Sequence, residues 1–236
     1  MKSYYMALPW IARNTSGIIT ETFKTIGKFS KLKKNTVVLS QERLFDKYVY
    51  VESGLLGQTT NDVSLKKPSI MGLIPPGRMF GPTPIARKAV SITNFYAMRE
   101  STVYIVRQDD LLRYMEDKPA VKEEFLLATI SRLHTHIEKF AVAAMLTPKE
   151  RLQLFFKVIL ISYEIDLAAK WLRLPVNLSI IEFSNIVYTT EQMLAKIFMQ
   201  WKKDGLLKRE GRYTIINKDL LETLDWSGNE VAFYDK

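Results

Sequence analysis

The spacing of apolar and polar positions changes its period near residue 108. Between Lys31 and Arg107 the apolar residues come in short runs broken by turn residues, which is the pattern of strands. The run 47–52 (KYVYVE) alternates Tyr and Val and is the clearest of them; Ser53-Gly54 ends it. The segments 36–39, 69–74, 91–96 and 102–107 read the same way. Turn signals at Asn61-Asp62, Pro75-Pro76-Gly77 and Gly81-Pro82-Thr83-Pro84 separate them. Many short strands at this spacing predict a small antiparallel barrel or jelly roll. The first 30 residues carry no long period, and 20–26 fits one short helix.

Beyond Gln108 the period is helical. Asp109 or Asp110 caps a short helix through Met115, and a long helix starts near Pro119, whose missing N–H suits a first turn. In it Leu126, Ile130, Leu133, Ile137, Phe140 and Ala144 are spaced 4, 3, 4, 3, 4. That is a coiled-coil seam, with Ile130 and Ile137 at a and Leu133 at d, a pairing that favours a parallel dimer. The same stripe can instead pack on the chain's own core. The strict alternation favours a second copy. His134 and His136 flank the seam, and imidazoles titrating near neutrality would make its association pH-sensitive.

Thr147, Pro148 and Glu150 form a capping box that opens a core helix, apolar from Leu152 to Ile165. The segment 171–176 is extended. Ser179 and Glu182 form a second capping box, for a helix over 180–187. After a break at Tyr188-Thr189, Thr190 or Thr189 caps a helix from Glu191 to about Lys203. Its buried face is predicted as Met193, Leu194, Ile197, Phe198 and Trp201. Glu191, Gln192, Ala195, Lys196 and Met199 lie toward the other face. Asp204-Gly205 ends the helix, and 208–212 (KREGR) is a basic turn between short strands.

Two helices, a tight turn and a basic hairpin make a winged helix-turn-helix. Gln192 suits adenine, Lys196 suits guanine or phosphate, and Glu191 can accept from a cytosine amine. Ser179, Thr189 and Thr190 stand at helix starts, where phosphates bind. Lys208, Arg209 and Arg212 would follow the backbone from the wing. The competing reading is a winged helix that serves protein contacts. Two reading heads behind a dimerising helix argue for DNA.

Charge changes this picture little. The 236 residues hold 34 Lys+Arg and 25 Asp+Glu, a net +9, and most of the excess lies in residues 1–117. Residues 178–218 hold seven basic side chains against four acidic ones, so the reading segment is locally basic. With no cysteine, disulfides, thiolate-held clusters and Cys zinc sites are excluded, and two histidines offer little for a metal centre. No cofactor or metal is expected. No nucleophile–base pair or phosphate-cradling glycine loop points to an enzyme. No stretch reads as a signal peptide or membrane span, so a cytoplasmic location is expected.

In this order of parts the chain resembles the Crp/Fnr superfamily of transcription regulators, from Lys31 to about Leu221. YVYVESGLL (48–56) looks like the family's strand and glycine turn, and IPPGRMFG (74–81) like its Pro-Gly-x-x-Phe-Gly turn. Residues 119–146 match the dimerisation helix, and 180–207 match the helix-turn-helix without a gap. The resemblance implies an α+β fold: an N-terminal antiparallel β-roll or jelly roll, a long dimerisation helix and a C-terminal winged helix-turn-helix. The boundaries expected are an N-terminal extension over 1–30, the roll over 31–117, the dimerisation helix over 118–146 and the winged helix over 147–236. Double-stranded DNA, a second copy of the chain and RNA polymerase are the partners it implies, with the base-reading positions at Glu191, Gln192 and Lys196. An acid at Glu191 departs from the family's usual Arg or Ser.

The effector site departs further. Where cyclic-nucleotide binders carry a Glu after the Phe-Gly turn, this chain has Pro82, and 91–96 lacks the Arg that would neutralise a cyclic phosphate. Arg87 and Arg99 flank that stretch at the wrong spacing. Control by cyclic nucleotide is therefore not expected. By analogy with relatives that sense small organic molecules, Met79, Phe80, Thr83, Phe95, Tyr96 and Arg132 are candidates for a pocket between roll and helix; ordinary core is the competing reading for each.

Overall fold

The structure, a computed structural model, describes residues 8–44, 46–61, 68–82 and 90–222. The chain divides into two compact units, Ile11–His136 and Met1–Trp10 with Ile137–Lys236.

The first unit opens with α1 (Gly17–Ile26), capped by the Ser16 side chain accepting from the Ile19 N–H. It begins three residues earlier than the sequence predicts, because Ser16 rather than Thr20 closes the first turn. Among the described residues eight strands follow: β1 (Lys28–Leu32), β2 (Val37–Leu39), β3 (Lys47–Ser53), β4 (Leu56–Asn61), β5 (Pro68–Ile74), β6 (Met79–Phe80), β7 (Asn94–Ala97) and β8 (Ser101–Arg107). They form two four-stranded antiparallel sheets, ordered β1-β8-β3-β6 and β2-β7-β4-β5. Three strands escape the sequence pattern: β6, a two-residue strand inside the expected turn over 74–81, and the two longer strands β1 and β4. β1 (KFSKL) carries two lysines and exposes Phe29, and β4 (LGQTTN) has too few β-formers to stand out.

β3 shows why the roll forms here. Tyr48, Val49, Tyr50 and Val51 are all buried, although the strand alternates. Successive side chains point to opposite faces. The valines join Leu56, Ile74, Phe80, Phe95, Ala97 and Val103 inside the roll. The tyrosines pack with Ile19, Phe23, Met79, Val106 and residues of the helices that cover the sheet. β3 is thus a central strand covered on both sides. Two glycines make this packing feasible. Gly54 holds φ +90 in the turn after β3, and a Cβ there would strike the Glu100 carbonyl. A Cβ on Gly81 would enter the Tyr48 ring.

α2 (Gln108–Met115) and the long α3 (Pro119–Met145) follow. Val121 and Phe125 of α3 join the tyrosine cluster, and Phe125 meets Tyr48 edge-on at 5.6 Å. The residues of α3 from Ile137 onward belong to the second unit. No described helix is long and apolar enough to cross a membrane.

The second unit continues with α4 (Pro148–Ser162), β9 (Trp171–Arg173), α5 (Ile180–Ile186), α6 (Glu191–Lys203), β10 (Leu207–Glu210), β11 (Tyr213–Asn217) and α7 (Asp219–Glu222). Both predicted capping boxes are present, Thr147 with Glu150 and Ser179 with Glu182. The core is largely aromatic: Phe155, Phe156, Phe183, Phe198 and Trp201 are all buried, with ring centroids 5.6–6.4 Å apart where they meet. Each such ring contributes about 1.5–3 kcal/mol of burial. Together they lock α5 and α6 onto α4.

Candidate nucleic-acid interface

α5 and α6 are joined by the residues Val187, Tyr188 and Thr189. Tyr188 lies in the left-handed region at φ +53, which lets the chain turn sharply between the helices. The Thr189 N–H donates to the Ser184 carbonyl at 3.0 Å and closes the turn. Thr190, not Thr189, is the N-cap of α6, and its hydroxyl accepts from the Met193 N–H at 3.2 Å.

α6 presents Gln192, Lys196 and Met199 along an exposed face, with Ala195 on one flank and Met193 on the other. The buried face is Leu194, Phe198 and Trp201. Two residues correct the sequence expectation: Met193 is 46% exposed and Ile197 only half-buried, where the spacing predicts both in the buried face. The aromatic rings at 198 and 201 fill the space against α4 and α5, so the third residue of the helix is left at the rim. Glu191 is half-buried and Gln192 exposed.

The hairpin β10–β11 differs from the basic turn expected over 208–212. Lys208, Arg209 and Glu210 lie within β10, and the turn is only Gly211-Arg212, with Gly211 at φ +56 as a two-residue hairpin requires. Strand geometry therefore separates the basic residues. Lys208 and Glu210 share a face, pair at 3.0 Å, and the Lys208 ammonium also sits 4.7 Å from the Trp171 ring. Arg209 points the other way, into a hollow of about 450 Å³ that it lines with Ser179, Ile180, Ala195, Met199 and Lys202 above Phe198. The structure thus brings Ser179, Lys202 and Arg209 around one hollow beside α6, while Lys196 is exposed on that helix and Arg212 is exposed at the tip of the wing. Lys208 is partly neutralised by Glu210.

The turn between α5 and α6 is held from outside the two helices. Arg151 of α4 donates from Nη2 to the Tyr188 carbonyl at 2.9 Å and from Nη1 to the Ala143 carbonyl at 3.0 Å. Lys139 of α3 is 3% exposed, and its ammonium lies 4.6 Å from the Tyr188 ring centroid. Burial pushes Lys139 down to about 7 and the Tyr188 phenol up to about 12. Ring and burial act on Lys139 in opposite senses: the ring favours the ammonium, but the low pKa shows that desolvation wins. A lysine whose folded pKa lies below its unfolded value costs stability wherever the unfolded chain carries it protonated, because folding must either bury the ammonium or remove its proton. That cost is full below pH 7 and vanishes as pH rises toward 10.5. Replacing Lys139 by Met is therefore expected to flatten the rise in stability between pH 7 and 10. Stability at pH 7 should rise by up to about 4 kcal/mol, the pKa difference at about 1.36 kcal/mol per unit. Urea unfolding at several pH values checks this; an unchanged slope in the variant would refute it.

Along α3 the stripe of the predicted seam faces outward. Leu126, Leu133, Ile137 and Phe140 are 59%, 56%, 60% and 78% exposed, Ala144 is exposed and Ile130 is half-buried. The face that packs within the chain is a different one, through Val121, Phe125, Thr129, Thr135, Lys139 and Val142.

The candidate effector residues are not gathered around one space. Phe80 and Phe95 stack on each other at 4.2 Å inside the roll. Met79, the neighbour of Phe80 in β6, faces the other way into the tyrosine cluster. Tyr96 is half-buried, and Thr83 lies outside the described residues. Arg132 sits near Tyr48, and burial pulls its guanidinium below its ordinary value while the Tyr48 phenol is pushed up to about 12. Among the described residues no group of His, Asp and Glu could hold a metal ion.

No protein-family model and no curated protein matches the chain. Solved structures do. FixK2 from Bradyrhizobium japonicum superposes with a TM-score of 0.73 at 15% identity, covering 85% of this chain and 98% of FixK2. CLP from Xanthomonas campestris is described as a c-di-GMP-responsive global regulator linking cell–cell signalling to virulence gene expression. It reaches 0.71 at 14%, covering 85% and 98%. A CRP-family transcriptional regulator from Thermus thermophilus reaches 0.66 at 13%, covering 82% and 94%. At these identities the likeness is one of fold, and the chain has the fold of the Crp/Fnr regulators.

Proposed function

We propose that the protein is a homodimeric, sequence-specific DNA-binding transcription regulator. The carrying observation is the exposed face of α6. Gln192 and Lys196 are exposed on it, and Arg209 of the wing lines a hollow with Ala195 and Met199 of the same helix. Gln192 pairs with an adenine edge in the major groove and Lys196 with guanine or phosphate. Met193, Ala195 and Met199 add apolar surface of the kind that meets thymine methyl groups. Ser179, Thr189, Thr190, Lys208, Arg209 and Arg212 position the protein on the sugar–phosphate backbone. Glu191, half-buried at the helix start, accepts from a cytosine amine.

In this assignment the roll expected over 31–117 starts with β1 at Lys28, 118–146 is the dimerisation helix and 147–236 the reading domain. The seam Leu126, Ile130, Leu133, Ile137, Phe140 and Ala144 pairs two copies. Two copies place two reading helices about one DNA turn apart, roughly 10–10.5 base pairs between half-site centres. Cyclic nucleotide does not control the protein, because Pro82 stands where the ribose-binding Glu would be.

Selection of bound duplexes from a random pool, followed by footprinting, tests the reading. Two half-sites related by a dyad should be enriched, with affinity falling steeply as salt rises. A folded dimer that enriches no sequence would overturn it in favour of protein contacts.

A further inference from the structure

Trp10 belongs with the C-terminal unit, although the roll separates the two in sequence. Trp10 is the anchor. It is 1% exposed and adopts φ +66, a left-handed conformation that bulky residues rarely take unless their surroundings enforce it. Its ring meets Phe155 of α4 edge-on at 5.5 Å, with the planes at 88°. Its Nε1–H donates to the Ile186 carbonyl at 2.9 Å in a buried hydrogen bond.

The acceptor explains why this matters. Ile186 is the last residue of α5, a helix of seven residues. The last carbonyls of a helix have no partner within it and must be satisfied from elsewhere. Here the Ile186 carbonyl is taken by Trp10 and the Tyr188 carbonyl, two residues on, by Arg151. The turn that sets the direction of α6 is therefore fixed at two closely spaced polar points by groups outside the helix pair. One of them comes from the N-terminal segment.

We propose that Trp10 is a positioning residue for the DNA-reading helix: it packs into the C-terminal unit from ahead of the roll in sequence and fixes the α5–α6 turn through the indole N–H. This rests on the DNA-reading assignment above. A merely structural tryptophan would act by raising the folded fraction, which changes affinity for every DNA equally. A positioning tryptophan changes specific affinity alone, since non-specific binding needs only phosphate contacts.

Trp10→Phe keeps a ring against Phe155 and removes the N–H, so the full-length variant is expected to fold. Affinity for the selected sequence should fall about tenfold, as for a buried carbonyl left without its donor, while affinity for unrelated duplex stays within about twofold. Backbone amides at 187–191 should exchange faster in the free protein, with the roll's amides unchanged. Equal losses on specific and unrelated DNA, or unaltered exchange at 187–191, would overturn the proposal. Faster exchange together with a wild-type protein that selects no sequence would leave the positioning role standing and sink the DNA reading instead.

Discussion

The double variant Gln192→Ala, Lys196→Ala is expected to lose its specific footprint while remaining a folded dimer. Both side chains are exposed, so truncating them should change stability by no more than about 0.5 kcal/mol. Each well-made side-chain–base pair contributes about 1–3 kcal/mol of discrimination, so losing two lowers specific affinity by about a hundredfold or more. Affinity for unrelated duplex should fall far less. The single variant Lys196→Ala separates two roles for this lysine. If it touches phosphate, the slope of log affinity against log salt drops by about 1; if it reads guanine, the slope holds and one base position relaxes. Quantitative footprinting across a salt series reads both, and an unchanged footprint in the double variant would remove Gln192 and Lys196 from the interface.

Leu133→Glu with Ile137→Glu is expected to give a monomer that keeps its fold. Leu133 and Ile137 are more than half exposed in the single chain, and the face of α3 that packs internally carries other residues. A dimer would bury four such side chains, two from each copy. At about 1.5–3 kcal/mol apiece their loss removes on the order of 6 kcal/mol or more, and buried carboxylates add to that. Sedimentation should therefore show monomer at micromolar concentration. Circular dichroism and the thermal midpoint extrapolated to low concentration should match the parent. Binding to a two-half-site duplex should fall with the dimer, because each monomer then holds only one half-site. A variant that sediments as a dimer would place the seam elsewhere.

The order of elements was legible because each of its signals is local. The capping boxes at Thr147 and Ser179, the Tyr–Val alternation of β3 and the heptad of α3 depend on residues a few positions apart. β1, β4 and β6 were not legible. Few of their residues are strong strand formers, and pairing with β8, with β5 and β7, and with β3 supplies what propensity lacks. The candidate site was legible in its residues and less so in its geometry. Met193 sits at the right spacing for a core position yet lies at the rim, because Phe198 and Trp201 already fill the room behind α6. The basic run 208–212 held no sign that Lys208 would turn away from Arg209 to pair with Glu210. That follows from the run being a strand and not a loop.

What the sequence determined by itself is therefore the succession of strands, long helix and helix–turn–helix, together with which residue types stand on each face. Periodicity and capping are properties of neighbouring residues, and they survive without knowledge of the rest of the chain. Tertiary structure alone decided that Trp10 reaches Ile186 across 176 positions, that Arg151 and Lys139 meet at Tyr188, and that the candidate effector residues split between two clusters. Such contacts join residues far apart in the chain. Only close packing of the folded units, where each side chain competes for the same volume, determines which distant partner a buried polar group finds.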